Sequence, residues 1–217
     1  MSTTSADADV TVLIPAFEEA DRIGSVVAAL VERYPVLVVD DGSSDETETV
    51  ASHAGARVVR HEENRGYLAA LRTGVRAIET PVVVTLDADG EHDPADVPAV
   101  SAPVLEDEAD LVFGARETIP RPSERLLSWL ANRHPDVDVR DTGTGFRAMR
   151  TTLARRLELD GACSCGTLAL EAASLDARIA AVPIETRLVE KPRGIAWRHA
   201  RQLVVVLRWL GRHVSAA

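Results

Sequence analysis

Residues 82–91 read Val-Val-Val-Thr-Leu-Asp-Ala-Asp-Gly-Glu, an apolar run that passes directly into acidic residues. The run predicts a buried strand, and the acidic residues predict the loop that follows it. Side chains alternate along a strand, so the carboxylates of Asp87 and Asp89 point the same way. Paired carboxylate oxygens suit Mg²⁺ or Mn²⁺, which proteins hold with a few carboxylates and the phosphates of a substrate. A solvated acidic loop is the alternative, but the pattern favours a divalent-metal and diphosphate site.

Two earlier apolar runs also end in acidic residues. Residues 10–14 lead into Pro-Ala-Phe-Glu-Glu at 15–19, and residues 36–39 lead into Asp-Asp-Gly-Ser-Ser-Asp at 40–45. Open α/β sheets bind ligands at the carboxyl ends of their strands, where these acidic residues would meet. Together the three runs favour a nucleotide and metal site. The first strand lacks a following G-x-G-x-x-G turn, which disfavours a dehydrogenase.

Helical patterns alternate with the strands along the chain. The pattern predicts strands at 10–14, 36–39, 56–60, 81–86, 110–116 and 179–184, and helices at 22–32, 44–53, 66–78, 121–133, 152–157, 168–175 and 197–214. Strands separated by helices form parallel βαβ units. The sequence therefore predicts an α/β fold, with a mixed but mostly parallel sheet flanked by helices, in a single domain spanning residues 1–217.

The composition narrows the classes of function. A net charge of −10 disfavours nucleic-acid binding, which needs a cationic face. The first residues lack the basic and apolar segments of a signal peptide, and no apolar run approaches the roughly 18 residues of a membrane span, so we expect neither. Cys163 and Cys165 stand two positions apart without a second pair. We expect small thiols there rather than a disulfide or a structural zinc site.

Four motifs together resemble a known family. They are Pro-Ala-Phe-Glu-Glu at 15–19, Val-Asp-Asp-Gly-Ser-Ser-Asp-Glu-Thr at 39–47, Asn-Arg-Gly at 64–66 and Asp-Ala-Asp at 87–89. They resemble the family 2 inverting glycosyltransferases, which have a Rossmann-like GT-A fold. Residues 141–148, Asp-Thr-Gly-Thr-Gly-Phe-Arg-Ala, are similar to the polyprenyl-phosphate branch, the dolichyl-phosphate mannose or glucose synthases. The resemblance implies a nucleotide-sugar half at about 10–115 and an acceptor half at about 116–217, ending in an amphipathic helix.

The resemblance also implies a role for individual residues. The residues expected to contact the nucleotide sugar are Pro15, Phe17, Glu19, Asp40, Asp41, Asp87 and Ala88. The expected ligands of Mg²⁺ or Mn²⁺ are Asp87, Asp89 and Glu91, where the family commonly has Gln at the last position. The expected catalytic residues are Asp89, Arg116 and Arg147, and the expected partners of the acceptor phosphate are Arg116, Arg125, Arg147 and Arg187. Each acidic residue in a turn could instead cap a helix or stabilise the turn, and each arginine could instead lie on the solvent-exposed surface.

The implied reaction moves a sugar from a nucleoside diphosphate sugar to a polyprenyl, dolichyl-type phosphate with inversion. A phosphate nucleophile is already ionised at neutral pH, so no dedicated base is required. One alternative is a family 2 enzyme acting on a sugar hydroxyl, for which Glu171 is a candidate base. Another is a non-catalytic nucleotide-sugar-binding protein that recruits partners. The sequence identifies neither the sugar nor the base of the donor.

The last predicted helix, Trp197 to Val214, combines apolar residues, tryptophan and several arginines. Such a helix is typical of binding at a membrane surface, and a core-packing helix with a basic solvated face is the alternative. With Leu126, Leu127 and Trp129 as additional contacts, we expect peripheral attachment. The expected location is cytoplasmic, peripheral on the inner face of the membrane, where a lipid-linked acceptor would be met.

Overall fold

A computed structural model describes residues 5–161, 163–187 and 195–213. Within these ranges the strands are β1 Val10–Ala16, β2 Val36–Asp40, β3 Arg57–Arg60, β4 Val82–Thr85, β5 Leu111–Arg116, β6 Arg147–Arg150 and β7 Ile179–Ile184. The helices are α1 Ser5–Ala8, α2 Ala20–Ala28, α3 Thr47–His53, α4 Tyr67–Ala77, α5 Val97–Leu105, α6 Pro122–Ala131, α7 Thr151–Ala154, α8 Thr167–Ser174 and α9 Ile195–His213, with a 3₁₀ turn at Pro94–Asp96.

The strands form one sheet in the order β3-β2-β1-β4-β6-β5-β7. All neighbouring pairs are parallel except those that β6 makes with β4 and β5. This is the mixed, mostly parallel α/β sheet that the sequence predicts. The predicted positions of the six strands agree with the structure to within a few residues at each end.

Both faces of the sheet are covered, which explains why the central strands are apolar throughout rather than alternating. Leu13 of β1 and Val83 of β4 lie in one core cluster, together with residues of α4 and α8. Val12 and Val84, their chain neighbours, lie in a second cluster on the opposite face, with residues of α2 and α5. Alternate side chains along each strand therefore pack into two separate hydrophobic cores, one on each face of the sheet.

Three of the helices and strands were not predicted: α1, β6 and α5. Strand β6 lies between β4 and β5 and runs antiparallel to both. A strand of four residues carries too little periodicity to be distinguished from a helix start. Helix α5 was not predicted, because Pro98 and Pro103 mask its apolar pattern.

Helix α4 lies so close to β1 that only glycine fits at position 74. A Cβ atom there would come within 2.1 Å of Leu13 Cδ1, and Leu13 is fully buried. We predict that Gly74→Ala lowers the free energy of unfolding by roughly 1–3 kcal/mol, since overpacking outweighs the better helix propensity of alanine. Urea denaturation measures this.

Gly211→Ala in α9 is the matched control, because a Cβ atom there meets nothing within 4 Å. It is expected to leave stability unchanged or to raise it by up to roughly 1 kcal/mol. Equal stability of the two variants would contradict the close approach of α4 to β1.

Candidate active site

A cleft of about 360 Å³ opens at the carboxyl ends of β1 and β4. It is lined by Pro15, Phe17, Glu19, Tyr67, Asp87, Ala88, Asp89, Arg116, Arg121, Glu124, Gly143, Gly145, Arg147, Cys163, Ser164, Cys165 and His199. Most of the predicted nucleotide-sugar residues and two of the predicted phosphate-binding arginines are therefore in one place. The strand-end argument locates the cleft correctly.

An acidic cluster lies beside the cleft, which one of its members, Asp87, lines. Asp87, Glu91 and His92 each present one ligand atom, and these atoms lie within 4.8 Å of one another. His92 Nε2 is 3.9 Å from Asp87 Oδ2, and the ring of His92 packs against Phe146 with centroids 5.5 Å apart. Two carboxylates with an imidazole suit a small divalent cation such as Mn²⁺. The grouping includes Asp87 and Glu91 of the predicted ligand set and adds His92, which was not among the predicted ligands.

Asp89, the third predicted ligand, also lines the cleft but has a different local role. Its Oδ1 accepts a hydrogen bond from the backbone N–H of Glu91 at 3.0 Å, which closes the turn after β4. Its charge also reaches Glu19: burial raises the pKa of Glu19, the nearby Arg22 opposes that shift, and the charges of Asp89 and Asp87 add to it. The carboxylates of Glu19, Asp87 and Asp89 therefore lie close enough together at this end of the cleft to repel one another.

Gly145 determines where Asp87 can lie. A Cβ atom at position 145 would stand 2.1 Å from Asp87 Oδ2. The hydroxyl of Thr85, near the end of β4, donates to the carbonyl oxygen of Gly145 at 2.8 Å, which holds the two segments together. The segment 143–145 is thus part of the acidic site, although the sequence motif around it was assigned to the acceptor side.

Asp40 and Asp41 organise the loop after β2. Asp40 is fully buried and accepts hydrogen bonds from the backbone and hydroxyl of Ser43. Asp41 accepts from the backbone N–H groups of Arg65 and Gly66 and contacts His61 Nδ1 at 2.7 Å. Neither is among the described residues that line the cleft. Both carboxylates therefore stabilise turns, which is the structural role considered for this motif as an alternative to ligand binding. Their contact with a nucleotide stays a prediction.

Arg116 was expected to meet an acceptor phosphate, but three carboxylates already surround it. Its guanidinium is 2.7 Å from Asp141, 2.9 Å from Glu124 and 3.3 Å from Glu91, and the side chain is only 3% exposed. These partners raise the pKa of Arg116 well above its usual range, although burial opposes them. Arg116 therefore holds Glu91, a member of the acidic cluster, in position.

Arg147 is the opposite case. The side chain is 1% exposed, and its Nη2 donates to Ser164 Oγ at 2.7 Å. Its Nε and Nη1 have no hydrogen-bond partner within the described ranges, and no ion pair there involves it. The guanidinium carbon lies 5.8 Å from the centroid of Phe113. A buried cation without a counter-ion is costly, so this group is suited to receive an anion from the cleft.

The remaining predicted basic residues lie away from the cleft wall. Arg125 is exposed on α6, and exposed Arg187 forms an ion pair with Asp93 at 3.1 Å. Arg121, which sequence analysis left outside the phosphate set, does line the cleft and pairs with Glu124 at 3.0 Å. Glu171 is not among the residues that line the cleft. Its carboxylate accepts a hydrogen bond from the backbone N–H of Leu159, and burial raises its pKa.

A sulfur and nitrogen group occupies another part of the cleft wall. Cys163 and Cys165 precede α8, and His199 of α9 brings its Nε2 to 3.9 Å from the sulfur of Cys165. The hydrogen bond with Cys165 lowers the pKa of Cys163, and the charge of Arg147 acts in the same direction. The hydrogen bond with Cys163 and burial together raise the pKa of Cys165. Sequence reasoning could not find His199, because it is 34 residues away.

The predicted membrane helix packs against α6 and contributes to the core. Val206 of α9 is fully buried, whereas Val204 and Leu207 are 46% and 50% exposed. On α6, Leu126 and Trp129 are 44% and 56% exposed. Leu127, named with them as a membrane contact, is buried, because it lies on the opposite face of its helix. The side chains of Trp197 and Arg198 and all of Val214 lie outside the described part.

Within the described residues, no helix is both long and apolar enough to cross a bilayer.

Known proteins resemble this chain in sequence and fold. A sequence profile described as glycosyl transferase family 2 matches residues 11–172. An uncharacterized glycosyltransferase of Mycobacterium bovis is 40% identical over 134 residues, which cover 58% of this chain and 61% of the relative. A dolichyl-phosphate hexose transferase of Haloferax volcanii is 33% identical over 195 residues, covering 82% of this chain and 83% of the relative.

A solved structure matches over almost the whole chain. It is glucosyl-3-phosphoglycerate synthase from Mycobacterium tuberculosis in complex with Mn²⁺, uridine diphosphate and glucosyl-3-phosphoglycerate, with a TM-score of 0.77 and 25% identity over 94% of this chain and 79% of that one. The match confirms the predicted GT-A fold class. The chain spans only about 61% of the length of the mycobacterial relative named above.

The arrangement around Arg116 predicts a stability effect. Arg116→Gln removes the cation shared by three buried carboxylates, although Glu124 keeps a second ion pair, with Arg121. The free energy of unfolding at pH 7 should therefore fall by roughly 3–5 kcal/mol. Urea denaturation at pH 7 measures this loss.

Arg125→Gln is the control, because Arg125 is an exposed arginine of α6, the helix that follows β5. It should change stability by less than about 0.5 kcal/mol at pH 7. Wild-type stability of Arg116→Gln at pH 7 would show that the carboxylate cage does not hold Arg116.

The contact at Gly145 predicts a change in metal affinity. Gly145→Ala should displace the Asp87 carboxylate and weaken Mn²⁺ binding, measured by electron paramagnetic resonance of the free ion. Gly143→Ala is the control, since a Cβ atom there would meet its nearest neighbour at 3.5 Å. Unchanged Mn²⁺ affinity in a folded Gly145→Ala protein would argue against Asp87 as a ligand.

Proposed function

This chain belongs to glycosyl transferase family 2, and from that premise we propose that it moves a sugar, with inversion, from a nucleoside diphosphate sugar to a polyprenyl phosphate. The observation that carries the acceptor assignment is the buried guanidinium of Arg147. It lines the same cleft as Asp87 of the acidic cluster, and it has no counter-ion within the described ranges. An anionic acceptor supplies that counter-ion.

The acidic cluster is proposed as the donor side. Asp87, Glu91 and His92 fit a divalent cation, Mg²⁺ or Mn²⁺, and Asp89 closes the turn that presents them. When bound, such a cation neutralises the diphosphate of the donor and of the departing nucleoside diphosphate. The neighbouring structure that contains Mn²⁺ and uridine diphosphate supports this assignment. Pro15, Phe17, Glu19 and Ala88 line the same part of the cleft and are proposed donor contacts.

The proposed reaction needs little proton transfer from the protein. A phosphate acceptor is ionised at neutral pH and attacks the anomeric carbon directly. The protein contributes orientation, which for two substrates held in line removes a large entropic part of the barrier. Arg147 is proposed to hold the acceptor phosphate through its two N–H groups, and Ser164 fixes the guanidinium by its hydrogen bond.

A second candidate is transfer to a small soluble acceptor that carries a phosphate. The observation that favours it is the structural match to a synthase crystallised with glucosyl-3-phosphoglycerate. The same arginine would serve either acceptor. A sugar hydroxyl acceptor without phosphate is less well supported, because Glu171, the candidate base, is bonded to the Leu159 backbone outside the cleft lining.

Transfer of label tests the acceptor. The full chain is incubated with Mn²⁺, radiolabelled nucleotide sugars, and either polyprenyl phosphate in detergent or 3-phosphoglycerate. We expect label in the lipid phase, and label only in the soluble phosphorylated acid would overturn the polyprenyl assignment. Label transferred to neither acceptor, in a protein that binds Mn²⁺ and a nucleotide sugar, would contradict the phosphate assignment itself.

Arg147→Met separates binding from folding. Loss of charge-assisted hydrogen bonds should cost roughly 1.5–3 kcal/mol of acceptor binding, or about a 10- to 150-fold rise in acceptor KM, with donor KM little changed. Removal of an unpaired buried charge should also raise the free energy of unfolding, by roughly 1 kcal/mol or more. Steady-state kinetics and urea denaturation measure the two effects.

Arg121→Met, on the same wall, is the comparison, because Arg121 already has Glu124 as a partner. It should raise acceptor KM less than Arg147→Met does. A lower stability of Arg147→Met, or an equal rise of both KM values, would indicate a structural role for Arg147 instead.

A lipid acceptor requires contact with a membrane, and the exposed apolar residues of α6 and α9 are proposed to supply it. Leu126 and Trp129 project from α6, and Val204 and Leu207 from α9, on two helices that pack together. Arg133 stacks on the Trp129 ring at 4.8 Å, and Arg208 is exposed on α9. Apolar residues surrounded by cations suit an anionic surface. The proposed location is thus peripheral, on the cytoplasmic face.

Flotation with liposomes tests this surface. We expect the protein to float with anionic vesicles, and to float less in high salt, which screens the contribution of roughly 1 kcal/mol per arginine. The double variant Leu126→Ser, Trp129→Ser should lose flotation while keeping its Mn²⁺ affinity. Phe17→Ser is the control, since Phe17 is 44% exposed at the cleft rather than on α6. Equal flotation of both variants would exclude α6 as the contact.

A further inference from the structure

The group formed by Cys163, Cys165 and His199 has no part in the transfer reaction described above. Its three ligand atoms, two sulfurs and one imidazole nitrogen, lie within 4.8 Å of one another. All three residues line the cleft, on a different segment of chain from Asp87 and the acidic cluster. The cleft therefore contains a second group of metal-ligating atoms, of different chemical character from the first.

We propose that Cys163, Cys165 and His199 bind a thiophilic divalent cation such as Zn²⁺, with a fourth coordination position open to the cleft. The site joins the loop before α8 to α9, two segments that the chain places 34 residues apart. It is distinct from the acidic cluster, which is suited to Mg²⁺ or Mn²⁺.

The spacing of the ligand atoms fits a tetrahedral zinc ion. Zinc–sulfur and zinc–nitrogen bonds of about 2.3 and 2.0–2.1 Å at a tetrahedral angle place sulfur and nitrogen about 3.6 Å apart. The observed separation between Cys165 Sγ and His199 Nε2 is 3.9 Å. A shift of a few tenths of an ångström would bring the pair to coordination geometry, which rotation about the side-chain bonds can provide.

Neighbouring groups hold the ligands in a suitable orientation. The hydroxyl of Ser123 is 2.7 Å from His199 Nδ1, so it can fix the tautomer that leaves Nε2 available to a metal. Gln202, one turn further along α9, accepts from the backbone N–H of Cys163 and donates to the carbonyl of Cys165, both at 3.3 Å. The two cysteines are thus clamped to the helix that carries the histidine.

The donor atoms determine which metal each site selects. Thiolates favour zinc and other soft cations, whereas carboxylates favour Mg²⁺ and Mn²⁺. Three protein ligands with one open position are typical of zinc sites that exchange water or another ligand, rather than of closed structural sites. The sequence expectation that a lone C-x-C pair holds no structural zinc is compatible with this open site, because the third ligand comes from elsewhere in the chain.

Cobalt substitution tests the proposal without any measurement of turnover. The full chain, kept reduced with a phosphine and freed of metal by dialysis, is titrated with Co²⁺. We expect stoichiometric binding with the near-ultraviolet charge-transfer absorption of a thiolate–cobalt bond, and loss of that absorption when Zn²⁺ is added. Cys163→Ser and Cys165→Ser should each weaken the absorption, and the double variant should abolish it.

Two further variants make the test specific. Ser123→Ala should keep the absorption but weaken Zn²⁺ binding roughly 10- to 100-fold, as expected for the partner of a metal-bound histidine. Asp87→Asn, which alters the acidic cluster, should leave the cobalt absorption intact and lower Mn²⁺ affinity. Circular dichroism checks folding, and Cys163→Ser, at a half-buried position, serves as the deciding variant if the double variant does not fold.

The proposal is overturned if the wild type shows no thiolate–cobalt absorption under reducing conditions. It is also overturned if folded Cys163→Ser retains both the full absorption and the wild-type Zn²⁺ affinity. Because neither readout involves a sugar donor or a lipid, failure here leaves the transferase assignment untouched. Failure of the transfer assay likewise leaves the zinc site untouched.

Discussion

The backbone pairing of β4 with the antiparallel β6 is the constraint on which the cleft depends. It sets Thr85 opposite Arg147, and the Thr85 hydroxyl binds the carbonyl of Gly145. A single hydrogen-bonded ladder thus fixes the distance between the acidic loop that leaves β4 and the cationic side chain that enters β6. Because Gly145 has no Cβ atom, the carboxylate of Asp87 can lie directly against the backbone of residue 145.

Two buried arginines near that ladder have opposite electrostatic situations. Arg116 is neutralised by carboxylates from three different segments and so fixes the position of Glu91. Arg147 has the hydroxyls of Ser164 and Tyr67 and the face of Phe113 nearby, and it forms no ion pair with a carboxylate among the described residues. Burial is nearly the same for both, so it is the arrangement of counter-ions that separates a positioning cation from one prepared for a ligand. Residue type and strand position cannot reveal that difference.

The cleft combines hard and soft donor atoms on separate segments. The acidic loop after β4 offers oxygen and imidazole, whereas the loop before α8 offers sulfur, with imidazole supplied by α9. Segregation by donor type allows two cations to be held within one cleft without competing for the same ligands. Helix α9 therefore has three roles: it packs on the core through Val206, supplies His199 to the cleft, and presents Leu207 on the surface.

The sequence by itself determined the α/β class, the parallel strands and the edge of the sheet at which the acidic loops meet. It could do so because hydrophobic periodicity is local and strand ends of parallel βαβ units share one edge. It also predicted site residues at Arg147, Asp87 and Asp89, which the structure places along one cleft. Only the tertiary structure placed β6 between β4 and β5, enclosed Arg116 in carboxylates, and buried Asp41 in hydrogen bonds to a distant loop. It alone brought His199 to Cys165. Each of these depends on contacts between residues far apart in the chain, and the free energy of such contacts has no trace in local pattern or composition.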